Sequence, residues 1–206
     1  MLSGGRFVPT HCRAQSRVAI IIPYRNREEQ LKLFLNHIHP ILSRQQLLYG
    51  IYVVGQVSVR SNVRSCGGFT ETTFQAGYTK FNRALLFNVG FREALNDNPD
   101  WECFIFHDVD LMPEDDRNLY TCPVSQPRHM SVAVDTMNYT LMYESLFGGV
   151  SALSKEHFER VNGYSNQFWG WGGEDDDMWN RIEGAKLNVT RYPKDIARYC
   201  VFMLNF

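Results

Sequence analysis

Residues 18–22 read V-A-I-I-I and are followed by Pro23, and this apolar run constrains the fold more than any other part of the sequence. A short β-branched run that ends in proline is typical of a strand buried in a parallel sheet. A helical segment follows at 28–42, where leucine, isoleucine and phenylalanine recur at helical spacing. The first elements that the sequence predicts are therefore a buried strand and an amphipathic helix.

The same alternation continues along the chain. Residues 48–54 are a second strand candidate, 81–95 are a second helix, and 103–107 are a third buried strand. Strands that alternate with helices predict an α/β domain with a largely parallel sheet. The chain has 206 residues, 44% of them hydrophobic, which is enough for one sizeable core. We therefore expect a single domain over 1–206.

Charged residues follow two of the predicted strands. Arg25 and Arg27 come after the first strand, and Asp108 and Asp110 come after the third. Ligands of open α/β sheets bind beyond the carboxyl ends of the strands, so these four side chains are expected to face one crevice. The guanidinium groups suit a diphosphate or a uracil. Ion pairs with the glutamates at 28 and 29 are the competing interpretation for both arginines.

Asp108 and Asp110 alternate, so in an extended strand both carboxylates would lie on one face. Oxygen ligands suit Mn²⁺ or Mg²⁺, which characteristically bridge protein carboxylates and substrate phosphates. A purely structural role, in which Asp108 caps the turn near Pro113, is the alternative. A phosphate could also be held where Arg83 opens the second helix.

Residues 168–177 read F-W-G-W-G-G-E-D-D-D and combine two tryptophans, three glycines and four adjacent carboxylates. The glycines allow positive φ and predict a hinged loop, while Trp169 and Trp171 offer flat faces for a sugar or a base. A helix is expected to begin at Asp175. We interpret this stretch as a loop that closes on a substrate, followed by a catalytic base. An acidic helix N-terminus after a glycine-rich turn is the alternative.

The composition excludes some classes of protein. Lysine and arginine number 21 against 22 aspartate and glutamate, with no long basic run, so nucleic acid is not an expected partner. Residues 18–22 are too few to span a bilayer. Five cysteines without a C-x-x-C pair argue against a zinc site, and Cys103 and Cys122 could close an acidic loop as a disulfide. Two N-glycosylation sequons begin at Asn138 and Asn188.

Residues 57–75 break the alternation, because they match neither helical nor strand periodicity. A long surface loop is one interpretation of this atypical insert, although structureless loops of this length are uncommon. A retained intron is the other, because Val57-Ser58 can be encoded by GTAAGT and Phe74-Gln75 by TTTCAG. Sequencing of the transcript distinguishes the two.

Five motifs together resemble the β-1,4-galactosyltransferase family, and they occur in the family's order. They are V-A-I-I-I-P-Y-R-N-R at 18–27, F-N-R-A at 81–84, F-x-x-H-D-V-D-L at 104–111, F-G-G-V-S-A-L-S at 147–154 and W-G-W-G-G-E-D-D-D at 169–177. The resemblance implies a GT-A fold, which is a Rossmann-like nucleotide-diphospho-sugar transferase fold with a mixed, mostly parallel sheet. It also implies an inverting, Mn²⁺-dependent enzyme of the Golgi lumen, anchored as a type II membrane protein. Such enzymes move galactose or N-acetylgalactosamine (GalNAc) from a UDP-sugar to the 4-hydroxyl of a terminal N-acetylglucosamine (GlcNAc) on a glycoprotein or glycolipid.

The resemblance also implies roles for individual residues. Asp175 resembles the catalytic base, Glu174 the residue that touches the transferred sugar, and Asp110 the metal ligand. Tyr143 and Asp176 match acceptor contacts. Positions that match the UDP-sugar site are Pro23, Arg25, Arg27, Phe81, Arg83, Asp108, Val109, Leu146, Gly149 and Trp171. Cys103 and Cys122 match a family disulfide, and Cys12 matches half of another whose partner would lie upstream of Met1.

Leu146 bears on the choice of donor. The galactose-using members that resemble this chain carry tyrosine at this place, and a smaller aliphatic residue accompanies the use of UDP-GalNAc. A tyrosine ring can crowd the 2-acetamido group, whereas leucine leaves room for it. The sequence therefore predicts UDP-GalNAc as the donor in preference to UDP-Gal.

The chain departs from the family near residue 201. Val201 and Leu204 stand where the family has the methionine and histidine of an M-x-x-H motif that completes the metal site. Neither hydrocarbon side chain ligates Mn²⁺, so weak metal binding is expected. We also expect the domain to be truncated at both ends, with the membrane anchor missing. A catalytically impaired relative that binds a UDP-sugar or a glycan is the rival interpretation.

Overall fold

The computed structural model describes residues 5–57, 72–75 and 80–202. Four α-helices occur among these residues: α1 (Glu28–Arg44), α2 (Arg83–Asp97), α3 (Lys155–Arg160) and α4 (Glu174–Gly184), with a 3-10 turn at Asp135–Met137. The strands in the same ranges are β1 (Arg6–Phe7), β2 (Arg17–Tyr24), β3 (Leu48–Val57), β4 (Thr72–Gln75), β5 (Cys103–His107), β6 (Leu111–Pro113), β7 (Arg128–His129), β8 (Ala133–Val134), β9 (Val150–Ser154), β10 (Thr190–Arg191) and β11 (Arg198–Val201).

The main sheet has the order β1-β3-β2-β5-β9-β7-β10, and β4 also pairs with β3. Strand β2 runs parallel to both β3 and β5, whereas β9 is antiparallel to β5 and to β7. A second sheet has the order β6-β11-β8. The expectation of an α/β domain with a mixed, largely parallel sheet is confirmed.

The two faces of β2 explain why its sequence is a continuous apolar run. Ile20 and Ile22 pack into one core with Phe34 of α1, while Ala19 and Ile21 pack into a second core with residues of α2. Every residue of 18–22 is fully buried, because helices cover the sheet on both sides.

Helix α2 begins where a side chain caps it. The Oδ1 atom of Asn82 accepts a hydrogen bond from the backbone N–H of Leu85 at 2.8 Å. The helix then lies close to the sheet at Gly90, where a Cβ atom would approach Cγ2 of Ile21 to 2.2 Å. The cap fixes the first turn of α2, with Arg83 at its start, and the close approach at Gly90 holds the middle of the helix against the sheet.

Two predicted details differ from the structure. Strand β5 ends at His107, and Asp108 begins a turn in which its carbonyl accepts a hydrogen bond from the N–H of Leu111 at 3.3 Å. Strand alternation therefore does not set the directions of the Asp108 and Asp110 side chains. Helix α4 begins at Glu174 rather than at Asp175, because Gly173 with φ 90° ends the preceding loop.

The atypical insert 57–75 is described only in part. Val57 closes β3, and residues 72–75 form β4, which extends the sheet in parallel with 54–57. Residues 58–71 lie outside the described part of the chain, so both interpretations of the insert, and the single domain over 1–206, stay predictions. In the described ranges, we find no helix with the length and apolar character needed to cross a bilayer.

Candidate active site

The side chain of Arg83 connects three elements of the fold. Its Nε donates to Oδ1 of Asp108 at 2.6 Å, one terminal nitrogen lies 3.3 Å from Oε1 of Glu174, and the other donates to the carbonyl of Gly149 at 3.1 Å. Only 13% of the Arg83 side chain is exposed. The end of β5, the start of β9 and the start of α4 therefore meet around one guanidinium.

Arg83 is outnumbered by the carboxylates beside it. Burial lowers the pKa of Arg83, but the charges and hydrogen bonds of its neighbours, with the charge of Asp108 first among them, together outweigh burial and the net pKa lies above its ordinary value. Burial raises the pKa of Asp108 even though Arg83 opposes the shift. One fixed cation thus faces two carboxylates in a poorly solvated place, which is an arrangement that clusters at functional sites.

Asp175 lies beside this cluster, in the first turn of α4. Its carboxylate packs against Gly148, where an added Cβ would meet Oδ2 of Asp175 at 2.6 Å. Burial, and next the charge of Glu174, raise the pKa of Asp175 above its ordinary value. A carboxylate with a raised pKa, next to a glycine turn that has no side chain to block it, is suited to accept a proton.

Gly149 has a backbone that a side chain would disrupt. Its φ is 74°, and a Cβ there would lie 2.5 Å from Oγ of Ser131. The Gly149 carbonyl accepts from the N–H of Asp108 at 3.2 Å as well as from Arg83. The backbone thus passes tightly at 147–150, and its carbonyl supports the arginine cluster.

Tyr143 and Asp176 lie together on the side of Asp175 that faces solvent. Burial, then the charges of Asp175 and Asp176, raise the pKa of Tyr143. Tyr143 is 41% exposed, and Met142 beside it is 61% exposed. An aromatic face and a second carboxylate thus border the predicted base.

The residues predicted to hold UDP occupy the ends of β2 and β5. The guanidinium of Arg25 lies 5.1 Å from the ring centroid of Phe81, and a terminal nitrogen of Arg27 donates to Oδ2 of Asp110 at 3.0 Å. Pro23 is buried within β2, where it pairs with Val54. Val109 is also buried, and it belongs to the core.

The glycine-rich loop has the backbone that its sequence suggested. Gly170, Gly172 and Gly173 have φ of 100°, 93° and 90°. The N–H of Gly170 donates to the carbonyl of Phe81 at 2.8 Å, which connects the loop to the arginine side of the site. The Trp171 side chain is fully exposed, so this conformation does not bring it to the Arg83 cluster.

The described residues do not assemble a protein-only metal site. The carboxylate of Asp110 lies at the edge of the sheet where a metal was expected. One of its oxygens accepts a hydrogen bond from Arg27, and the carboxylate of Asp108 accepts one from Arg83. Within 5–57 and 80–202, no three His, Cys, Asp or Glu side chains form a group that could hold a metal ion. Val201 pairs with Leu111, and the next residue's N–H donates to the carbonyl of Asp110 at 2.8 Å. Leu204 lies outside the described residues.

Two buried polar side chains, His129 and Ser131, lie behind the Gly148 turn and were not identified from the sequence. His129 Nε2 and Ser131 Oγ both hydrogen-bond to the carbonyl of Gly148, at 3.0 and 3.1 Å, and Arg191 lies behind His129. The available signal was the F-G-G-V motif, since a tight turn needs partners for its backbone groups. The sequence does not show which residues supply them.

The cysteine prediction is confirmed for one pair. Cys103 and Cys122 form a disulfide that ties the start of β5 to the loop before β7. Cys12 is exposed and has no disulfide partner among the described residues.

Comparisons with known proteins agree with this geometry. The model of the N-terminal region of glycosyl transferase group 7 matches residues 1–66 and 72–123, and that of the N-terminal domain of galactosyltransferase matches 128–203. The chain is 50% identical over 198 residues to beta-1,4-galactosyltransferase 4 of Cricetulus griseus, covering 96% of this chain and 52% of that protein. Identity to beta-1,4-galactosyltransferase 1 of Mus musculus is also 50%, over 96% of this chain and 44% of that protein.

The chain belongs to the β-1,4-galactosyltransferase family. It spans about half the length of the curated family members that it matches. A solved family member, the catalytic domain of Drosophila beta1,4galactosyltransferase 7 in complex with xylobiose, has 35% identity and a TM-score of 0.70, over 85% of this chain and 64% of that one. A mutant of the same enzyme is known with manganese, UDP-Gal and xylobiose. The expected GT-A fold is confirmed.

Proposed function

We propose that this chain is the catalytic part of a UDP-sugar-dependent β-1,4-glycosyltransferase. It would move GalNAc, or galactose, to the 4-hydroxyl of a terminal GlcNAc on a glycoprotein or glycolipid in the Golgi lumen. The observation that carries the proposal is the Arg83 cluster, because it places Asp108, Glu174 and the neighbouring Asp175 around one buried cation. Family membership supports the reaction class.

The two arginines between the end of β2 and the start of α1 are the proposed partners of UDP. Arg25 lies against the ring of Phe81, which leaves a flat cation–aromatic surface beside the site. Arg27 is half-exposed and already lies beside a carboxylate, so it can turn toward a phosphate at little cost. Both groups supply positive charge for the departing diphosphate.

Asp175 is the proposed base of a single in-line displacement. It takes the proton of the acceptor 4-hydroxyl as that oxygen forms a bond to C1 of the donor sugar. The bond from C1 to the UDP oxygen breaks on the opposite face, so UDP leaves with the electron pair and the anomeric centre inverts. Glu174 beside it would contact the transferred sugar, and Tyr143 and Asp176 would orient the acceptor.

Asp110 is the residue that would contact a divalent ion in this chain. The Drosophila relative binds manganese together with UDP-Gal. Here the described residues provide this carboxylate without a second or third ligand group beside it, so they do not fit a complete Mn²⁺ site. The proposed reaction therefore has no step through the metal, and in the described part of the chain Arg25, Arg27 and Arg83 would neutralise the charge of the diphosphate.

The glycine-rich loop is the proposed lid. Gly170, Gly172 and Gly173 all have positive φ, and glycine reaches this and other backbone conformations without a steric penalty. The exposed Trp171 at the tip of the loop has no packing to lose. Closure over the donor would bring the tryptophan into the site and exclude water that would hydrolyse the UDP-sugar.

Leu146 is the proposed determinant of donor choice, with UDP-GalNAc preferred. Its side chain is half-buried, and its backbone closes a turn with Tyr143 at the edge of the site. The experiment compares turnover on UDP-GalNAc and UDP-Gal with a GlcNAc acceptor. Leu146→Tyr should shift the ratio of kcat/KM toward UDP-Gal by at least about tenfold, because small steric differences in a pocket carry that much discrimination. Leu119→Tyr, on an exposed loop near the disulfide, is the control and should leave the ratio unchanged.

One observation favours a second candidate function. Because a group of three metal-holding side chains is absent from 5–57 and 80–202, a protein that binds the UDP-sugar without transferring it fits the same donor site. A chain that binds UDP but turns over neither donor would support this alternative.

A further inference from the structure

The segment between the 3-10 turn and β9 carries two residues with proposed roles, yet it has little regular structure. Tyr143 and Leu146 belong to a turn in which the N–H of Leu146 donates to the carbonyl of Tyr143 at 3.2 Å. A lone turn does not hold a segment in place, so its position relative to Asp175 depends on other contacts.

Those contacts come from Arg191 in β10. One terminal nitrogen donates to Oε1 of Glu144 at 2.8 Å, and the other donates to the carbonyls of Glu144 and Leu146 at 2.6 and 3.1 Å. The guanidinium also lies 5.4 Å from the ring centroid of Trp179, which belongs to α4. Only 14% of the Arg191 side chain is exposed. Arg191 therefore connects the segment to the helix that carries Asp175.

His129 extends this connection to the floor of the site. Arg191 Nε donates to His129 Nδ1 at 3.3 Å, so the ring proton is on Nε2, which donates to the carbonyl of Gly148 at 3.0 Å. Burial, and next the charge of Arg191, lower the pKa of His129 to about 3, which keeps the ring neutral. Gly148 in turn contacts the carboxylate of Asp175.

We propose that Arg191, acting with His129, is a positioning residue that fixes Tyr143, Leu146 and Asp175 relative to one another. The inference rests on the proposed function, and it adds residues that the motifs did not include. Arginine suits the task because its fork donates in several directions at once, whereas lysine is a single point charge. The two backbone carbonyls matter more than the ion pair, because 82% of the Glu144 side chain is exposed and water screens its charge.

The kinetic test compares Arg191→Lys, Arg191→Gln and Glu144→Gln with the parent chain. Both Arg191 variants should lower kcat/KM for the acceptor by about tenfold to a hundredfold, since small misplacements of reacting groups cost that much. Binding of UDP, measured by calorimetry, should stay within about twofold, and Glu144→Gln should change little, because an exposed ion pair contributes little. Parent-like kinetics in Arg191→Lys, or an equal loss of UDP binding and turnover, would overturn the proposal.

A second measurement does not depend on turnover. Hydrogen exchange at the amide of Leu146 should accelerate more than about tenfold in Arg191→Gln. In the parent, local opening of this segment has to break the hydrogen bonds of the arginine, and in the variant those bonds are absent, so that opening costs less free energy. Exchange within β5 should be unchanged, which shows that the variant is folded. Arg198→Gln is the matched control, since Arg198 also lies over an aromatic ring, that of Tyr139, and pairs with a glutamate, Glu114. Unchanged exchange at Leu146 contradicts the inference even if the parent proves active, whereas a parent without turnover contradicts only the proposed function.

Discussion

At the residue scale, the site depends on the balance of charge around Arg83. Its side chain is largely buried and ion-paired with both Asp108 and Glu174. A buried ion pair adds little net stability, but the removal of one partner leaves the others uncompensated. The cation therefore makes it possible to keep two carboxylates next to the predicted base.

Replacing Arg83 by glutamine should affect both stability and donor binding. We expect the free energy of unfolding to fall by about 3–5 kcal/mol, because two partly buried carboxylates lose their partner. Chemical denaturation with and without UDP measures both effects. Arg92→Gln, on the exposed face of the same helix, is the control and should stay within about 0.5 kcal/mol of the parent. Equal losses of stability and of UDP binding in the two variants would show that Arg83 does not compensate the carboxylates of the cluster.

Asp175 should give the enzyme a characteristic dependence on pH. Since burial and Glu174 raise its pKa above 3.8, the ionised base should form only at a higher pH, and kcat/KM should rise through that range. The folded protein holds this proton more tightly than the unfolded chain, so the free energy of unfolding should decrease as the pH rises through the same window. Denaturation across this range should show the decrease in the parent and a smaller one in Asp175→Asn. An identical pH dependence in the variant would rule out the assignment.

At the element scale, the sequence predicted the long elements, because periodicity is averaged over many residues. Strand β2, helix α1 and helix α2 all lie within two or three residues of their predicted positions. Strands β7 and β10 have two residues each, too few for any pattern. The pairing of His129 with Arg191 brings together parts of the chain that are far apart in sequence, and neither residue belongs to a motif from which the pairing could be predicted.

The turn before β9 is sensitive to a single added methyl group. Gly149→Ala should destabilise the protein by at least about 2 kcal/mol, because it combines a positive φ with a contact of 2.5 Å to Ser131 Oγ. Gly184→Ala at the end of α4 has open space for its Cβ and should stabilise by about 0.5–1 kcal/mol. Thermal unfolding of both variants measures the difference. Comparable stabilities for the two would mean that the turn is not constrained as described.

At the scale of the whole molecule, the fold brings together charged residues that are distant in the sequence. The carboxyl ends of β2 and β5 bring Arg27 to Asp110, and helix α2 places Arg83 between Asp108 and the start of α4. That charged residues would meet beyond these strand ends followed from the topology of a parallel sheet. The topology does not reveal which reaction the site performs, because an arginine beside carboxylates is compatible with many ligands. The motifs and the relatives supplied that part.

Asp175 is the residue on which the proposed reaction depends, and transfer by its variant tests the account most directly. The measurement is sugar transfer from UDP-GalNAc to a GlcNAc acceptor, with the linkage of the product read by nuclear magnetic resonance. The parent should form a β-1,4 linkage, and Asp175→Asn should lose at least about a hundredfold in kcat while UDP still binds. Asp177→Asn is the control, since that carboxylate pairs with Arg181 on the same helix, and its loss should change kcat by no more than about threefold. A parent that binds UDP without transfer, or an Asp175→Asn variant as fast as the parent, would contradict the account.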